Sequence, residues 1–103
     1  MSLVTERIED NVLYLELNGR IDSSNADQAE ELIKAIKEAH PNLQSVIDAE
    51  NLEYLSSAGL RVVLRMRKDT ADLKIINVST EVYEILDMTG FTDMITVEKA
   101  FRR

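Results

Sequence analysis

The first part of the chain alternates between apolar and polar positions. Leu13, Leu15 and Leu17 would share one face of an extended strand, with polar or aromatic residues between them. The sequence EDN at residues 9–11 supplies side chains that are typical of turns. The pattern therefore predicts a β-hairpin over residues 3–18.

After this hairpin the apolar spacing changes to that of a helix. Apolar residues recur every three or four positions over residues 26–36, which predicts a first helix with Ser23 or Ser24 as its N-cap. The same spacing predicts a second helix from near Ser57 to about Asp69. The residues expected on its buried side are Leu60, Val63 and Leu64.

A third helix is predicted between residues 79 and 90, where Ser79 or Thr80 would cap its start and Gly90 would follow its end. Short apolar runs predict further strands at residues 43–49, 73–78 and 94–97, and a final helix is expected to begin within residues 98–103.

Strands and helices then follow in the order β-β-α-β-α-β-α-β. Such alternation is typical of an α/β domain, in which parallel strands are joined by right-handed helical crossovers. The opening hairpin adds an antiparallel pair. We therefore expect one α/β domain over residues 1–103, with a mixed central sheet of four to five strands and helices packed on it.

Charge and composition narrow the function classes. The chain has 12 basic and 19 acidic residues, and its net charge of −7 disfavours nucleic acid and anionic lipid as partners. It has no cysteine and a single histidine, His40, which argues against thiolate chemistry and a zinc site and fits a cytoplasmic protein. No apolar run reaches the roughly 18 residues of a membrane span, so we expect no membrane insertion, and no cofactor or metal.

Hydroxyl side chains are concentrated before each predicted helix, at the edge of the sheet where α/β domains place their functional residues. N-capping alone accounts for most of them. The loop before the second helix differs, because seven residues separate Ala49 from Ser57 and Gly59 lies in the first helical turn. Since glycine costs a helix about 0.5–1 kcal/mol relative to alanine, another backbone or a ligand is expected to approach Gly59 closely.

The sequence gives little support for an enzymatic function. The sequence has no nucleophile elbow, Walker loop or dinucleotide-binding glycine motif. A Ser–His–Asp triad would need His40, which the element order places at the opposite end of the sheet from Ser57. Asp48 ends an apolar strand as in a receiver domain, but the preceding strand end, LELNG, supplies no neighbouring carboxylates for magnesium. We therefore expect no catalytic activity.

Three segments resemble the STAS domains of the anti-sigma factor antagonist type. YLSSAGLRVVL at residues 54–64 resembles the signature of that family, LNGRIDSSNA at residues 17–26 its earlier loop, and LDMTGFTDMITV at residues 86–97 its C-terminal helix-to-strand segment. The segments occur in the family's order and span most of the chain. The resemblance implies a single STAS-like fold.

The resemblance also implies a function. The domain would bind an anti-sigma factor that is also a serine kinase, so that a sigma factor is released, and a phosphatase would reverse phosphorylation by that kinase. Ser57 matches the phosphorylated position, two residues before Gly59, with Ser56 as the alternative acceptor. An alternative function is that of a subunit regulating a membrane transporter or lipid-transport complex.

The expected partner surface combines two loops and part of the second helix. Its residues are Asp22, Ser23, Ser24, Ser56, Ser57, Gly59, Arg61 and Arg65. Arg61 and Arg65 share a helix face with Lys68. Two explanations of this basic face stay open: it pairs with acids of the first helix, such as Glu30, Glu31 and Glu38, or it contacts an acidic patch on the kinase.

Overall fold

The computed structural model describes residues 2–100 of the 103-residue chain. In chain order, its elements are β1 (Val4–Glu9), β2 (Val12–Leu17), β3 (Gly19–Ile21), α1 (Ala26–Ala39), β4 (Gln44–Asp48), β5 (Leu52–Leu55), α2 (Ser57–Asp69), β6 (Lys74–Val78), α3 (Thr80–Met88), a 3₁₀ turn (Phe91–Asp93) and β7 (Thr96–Lys99).

Five strands form the main sheet in the order β1-β2-β4-β6-β7. β1 and β2 are antiparallel, and the other neighbours are parallel. Asp10 and Asn11 form the hairpin turn, both with positive φ, as the tight turns that suit twisted strands require. The predicted α/β fold with a mixed sheet is confirmed.

The core lies between one face of this sheet and the three α-helices. Leu13, Leu15 and Leu17 are fully buried there, as the alternation predicts, and residues of α1, α2 and α3 join the same cluster. The buried side of α2 agrees with the prediction at Val63 and differs at the other two positions. Leu60 and Leu64 are only partly buried, and the inward positions are Gly59, Val62, Val63 and Met66.

A second, two-stranded sheet pairs β3 with β5 in parallel. We call it the β3–β5 ribbon. The sequence does not predict this ribbon, because three or four residues are too few for a clear alternation. Gly19, with φ of 76°, turns the chain from β2 into β3, and its N–H donates to Asn51 O at 2.8 Å.

The first turn of α2 rests directly on this ribbon. A Cβ atom at Gly59 would lie 2.9 Å from the carbonyl oxygen of Ile21 and 2.9 Å from Cδ2 of Leu55. The N–H of Ser56 donates to the same Ile21 carbonyl at 2.9 Å. Gly59 therefore permits a close approach of backbone, one of the two explanations expected from the sequence. With Gly59 inward, residues three, four and seven positions later also face the core, which explains the observed buried side of α2.

The helix starts follow the predictions in part. Ser79 caps α3 by accepting from Val82 N at 3.2 Å, as expected. The predicted cap of α1 is wrong: Asn25 occupies the N-cap position, without a side-chain capping bond. Ser24 instead bonds to Asp22, and the loop geometry described below explains why.

The last strand begins later than predicted. Met94 and Ile95 close the 3₁₀ turn through bonds from their N–H groups to Phe91 O, so β7 starts at Thr96. β7 runs to Lys99, so the final helix expected from residue 98 is wrong for its first two residues. Residues 101–103 of that expected helix lie outside the described residues.

Replacing Gly59 with alanine is expected to destabilise the domain, although alanine favours helices by about 0.5–1 kcal/mol. The added methyl group would overlap Ile21 O and Leu55 Cδ2, and overpacking of this kind costs about 1–3 kcal/mol. Urea denaturation measures the difference. Ala58→Gly is the control, since it reports helix propensity at the neighbouring position. A Gly59→Ala variant more stable than wild type would contradict this packing.

Candidate functional site

The site lies where the β3–β5 ribbon ends. Ile21 pairs with Leu55, so the two segments that follow, residues 22–25 and 56–57, leave the parallel strands side by side. The bond from Ser56 N to Ile21 O fixes their relative position. The structure thus brings together the two loops that the sequence analysis selected.

The hydroxyls of Ser56 and Ser57 have different environments. Ser56 is the N-cap of α2, and its Oγ accepts from Gly59 N at 3.4 Å. Ser57 is the first residue of α2, its side chain is exposed, and it makes no side-chain hydrogen bond within residues 2–100. The Ser56 hydroxyl therefore has a role in the fold, whereas the Ser57 hydroxyl faces solvent.

Asp22 is held in a fixed position by its own loop. Its Oδ1 accepts from the hydroxyl of Ser24 at 2.6 Å and from the N–H of Ser24 at 2.9 Å. Asn25 closes the loop, because its Oδ1 accepts from Asp22 N at 2.9 Å and its Nδ2 donates to Arg20 O at 2.9 Å. The Ser24 hydroxyl, then the Ser24 N–H, and the charge of Arg20 lower the pKa of Asp22. Ser23 beside them is exposed.

A cation–π pair crosses the ribbon beside this loop. Arg20 and Tyr54 face each other across β3 and β5, and the Arg20 guanidinium lies 4.4 Å from the centre of the Tyr54 ring. Sequence reasoning missed both residues, since only the pairing of the two short strands brings them together. An arginine two residues before Asp22 and a tyrosine three before Ser57 were the available signal.

The three arginines of α2 have different environments. Arg65 Nη1 lies 2.8 Å from Glu30 Oε1 on α1, so pairing with the first helix, one of the two explanations left open, holds for this residue. Arg67 donates from Nε to Met94 O at 3.1 Å. Arg61 is exposed and has no ion pair within the part of the chain that the structure describes. Of these three arginines, Arg61 keeps its guanidinium free of such contacts.

An open groove of about 680 Å³ lies at the opposite end of the ribbon, where β3 and β5 begin. It is lined by Asn18, Gly19, Glu50, Asn51, Leu52, Glu53, Ser79 and Glu81. Its three glutamates make it electronegative, which disfavours anionic ligands such as nucleotides. Neither Ser57 nor Asp22 lines it, so the groove and the site are separate features.

Asp48, the residue that suggested a receiver domain, is 3% exposed and engaged in structural bonds. Its carboxylate accepts from Arg7 Nη1 at 3.0 Å, Asn77 Nδ2 at 3.1 Å and Glu50 N at 3.0 Å. The hydrogen bond to Asp48, more than those to Glu16 and Glu9, raises the pKa of Arg7 against the opposing effect of desolvation. This network ties β1, β4 and β6 together on the sheet face opposite the core.

His40 is far from the site in the fold. It ends α1, and its Nε2 lies 3.0 Å from Glu6 Oε2 on β1. Within residues 2–100, no group of three histidine, cysteine, aspartate or glutamate side chains is arranged to hold a metal ion. None of the helices among those residues has the length and apolar character needed to cross a bilayer.

Comparisons with known proteins agree with this architecture. The family model described as STAS domain matches residues 4–102. A protein of Bordetella bronchiseptica, provisionally named anti-sigma factor antagonist BtrV, is 33% identical over 102 residues, covering 94% of this chain and 85% of the relative.

Two solved structures share the fold. An anti-sigma factor antagonist from Mycobacterium paratuberculosis matches with a TM-score of 0.81 at 19% identity, covering 92% of this chain and 83% of that one. The anti-sigma factor antagonist SpoIIAA in its unphosphorylated form matches with a TM-score of 0.60 at 16% identity, covering 82% of each chain.

Replacing Ser24 with alanine is expected to raise the pKa of Asp22, because the Ser24 hydroxyl is the largest cause of its lowering. A lowered pKa stabilises the folded state above the unfolded-state value of about 3.9, and this contribution is lost as pH falls through the folded-state pKa. The stability difference between wild type and Ser24→Ala should therefore shrink on acidification.

Carboxyl-carbon NMR titration of Asp22, together with denaturation at several pH values, measures both effects. Ser23→Ala is the matched control, since the exposed Ser23 side chain makes no bond to Asp22 within the described residues. An unchanged Asp22 titration in the Ser24→Ala variant would contradict the proposed cause.

Proposed function

Since this chain belongs to the STAS domain family, we propose that it acts as an anti-sigma factor antagonist. The relative from Bordetella and the structural neighbours carry that name. The observation on which the proposal rests is the exposed Ser57 hydroxyl at the start of α2, beside the ordered Asp22 loop. The domain would be a binding protein and a kinase substrate, and not a catalyst.

In this proposal the unphosphorylated domain binds an anti-sigma factor that is also a serine kinase, and a sigma factor is released. The kinase transfers the γ-phosphoryl group of ATP to Ser57 Oγ, which loses its proton, and ADP leaves. The phosphorylated domain dissociates, and a phosphatase hydrolyses the phosphoserine to restore the first state. Because sigma factors act with RNA polymerase, we place this cycle in the cytoplasm.

The geometry supports Ser57 over Ser56 as the acceptor. Phosphorylation of Ser56 would alter the group that caps α2 and would place a phosphate against the tight contact at Gly59. Phosphorylation of Ser57 leaves that cap intact. The Ser57 side chain is also exposed, so a kinase can reach it without local unfolding.

The fold should tolerate a phosphate at Ser57. The free N–H groups at the start of α2 can donate hydrogen bonds to an anion, and the positive end of the helix dipole favours one there. No acidic residue in the first turn would repel it. Such an interaction typically contributes about 0.3–1 kcal/mol. The phosphate adds about −1.5 to −2 charges, and at a partner surface shaped for a neutral hydroxyl an unpaired charge costs on the order of 2–5 kcal/mol. The larger effect acts only in the complex.

Ser57→Asp is expected to weaken binding to the kinase by roughly 30-fold or more while leaving the melting temperature near that of wild type. Ser57→Ala should bind as wild type does and should not be released by ATP. Calorimetric titration with the kinase captured by the wild-type protein, thermal melts and phosphosite mass spectrometry measure these outcomes.

Ser23→Asp is the matched control, because it places a carboxylate on an exposed serine of the neighbouring loop. Kinase binding by Ser57→Asp at wild-type strength would show that Ser57 is only a helix residue. Phosphate found on Ser56, Ser23 or Ser24 instead would overturn the acceptor assignment.

A further inference from the structure

Ser57 and Arg61 are four residues apart on α2, and both side chains are exposed. Residues at this spacing are neighbours on a helix surface, with Cβ atoms about 5–6 Å apart. An anion on the N-terminal side of a cation at this spacing is the more favourable orientation of such a pair. The sequence SSAGLR thus places a guanidinium one turn from the proposed phosphate position.

The other arginines near the site are already engaged. Arg65 pairs with Glu30 at 2.8 Å, and Arg67 bonds to the backbone of Met94. Arg20 lies over the Tyr54 ring, and its charge contributes to the lowered pKa of Asp22. Arg61 has no carboxylate within ion-pair distance among residues 2–100. A phosphate on Ser57 would find Arg61 available without breaking an existing contact.

We propose that Arg61 binds the phosphate of phosphorylated Ser57 within the same helix; this proposal rests on Ser57 phosphorylation as the proposed function. A guanidinium can donate two parallel hydrogen bonds to phosphate oxygens, which gives the pair a defined geometry. Phosphorylation then changes two features of the surface. It adds a dianion at Ser57, and it removes the Arg61 guanidinium from contact with an acidic patch on the partner.

The test uses phosphoserine incorporated at position 57 during translation, so that no kinase is needed. Phosphorus NMR titration gives the second pKa of the phosphate, which is ordinarily about 6. An adjacent guanidinium favours the dianion, so Arg61→Gln should raise this pKa by about 0.3 units relative to the wild-type background. Arg65→Gln is the matched control on the same helix face, and there the pKa should stay unchanged.

Charged residues on the neighbouring elements are the alternative partners of the phosphate, and they determine which results would contradict the proposal. The elements next to α2 carry Arg20 on β3, Asp22 in the following loop, Asp27 and Glu30 on α1, and Glu53 on β5. A shift in Arg20→Gln but not in Arg61→Gln would assign the phosphate to the ribbon and overturn the proposal. Equal pKa values in the wild-type, Arg61→Gln and Arg65→Gln backgrounds would also overturn it.

A double-mutant cycle, measured by thermal melting, provides the second readout. Phosphoserine should raise the melting temperature more in the wild-type background than in Arg61→Gln, and salt should reduce that difference. Additive effects would contradict the pair. The proposed function can fail independently of this pair. If Arg61 binds the phosphate but phosphorylation does not change kinase binding, the phosphate–Arg61 pair is supported and the proposed switch is rejected.

Discussion

The first turn of α2 lies against the end of β3 with no space for a side chain at Gly59, and the proposed partner surface depends on this contact. Ile21 contributes the carbonyl that accepts from Ser56 N, and the same carbonyl oxygen would lie 2.9 Å from a Cβ atom at Gly59. The contact fixes the rotation of α2 about its axis. Val62, Val63 and Met66 then face the core, and Ser57, Arg61 and Arg65 face outward.

The same contact keeps the residues that stabilise the fold apart from those proposed to bind a partner. The core formed by the sheet and three helices lies beneath the site, while Asp22 lies in the loop after β3 and Ser57 begins α2, both at the end of the β3–β5 ribbon. A charge added at Ser57 changes the surface without entering the core. The Ser56 hydroxyl caps α2, whereas the Ser57 hydroxyl is exposed, as the proposed phosphorylation requires. Preordered loops of this kind lose little conformational entropy on binding.

The elements with a clear period or a clear apolar run could be predicted from the sequence, whereas β3 and β5 could not. The β1–β2 hairpin and the three α-helices are long enough for a period of two or of about 3.6 to be visible, and β4 and β6 are marked by apolar runs. β3 and β5 have three and four residues and were interpreted as loops. Only tertiary pairing makes them strands, so the ribbon and the Arg20–Tyr54 pair were missed together.

The roles of individual side chains could also be predicted only in part. Gly59 was singled out because a helix would otherwise avoid it, and that local cost signalled the tight packing. Ser23 and Ser24 looked like caps of α1, but the Ser24 hydroxyl bonds to Asp22 two residues before it. Serine and aspartate have several local hydrogen-bonding choices of similar energy, so the sequence alone could not decide among them.

The most direct test of the central claim maps the partner's footprint on this domain. In amide NMR or hydrogen exchange of the complex with the proposed partner, an anti-sigma factor kinase, residues 22–25 and 56–61 are predicted to show the largest changes. The sheet face that carries Tyr14 and Asp48, opposite the core, is predicted to stay unchanged. Changes concentrated on that face, with residues 22–25 and 56–61 unaffected, would contradict the account.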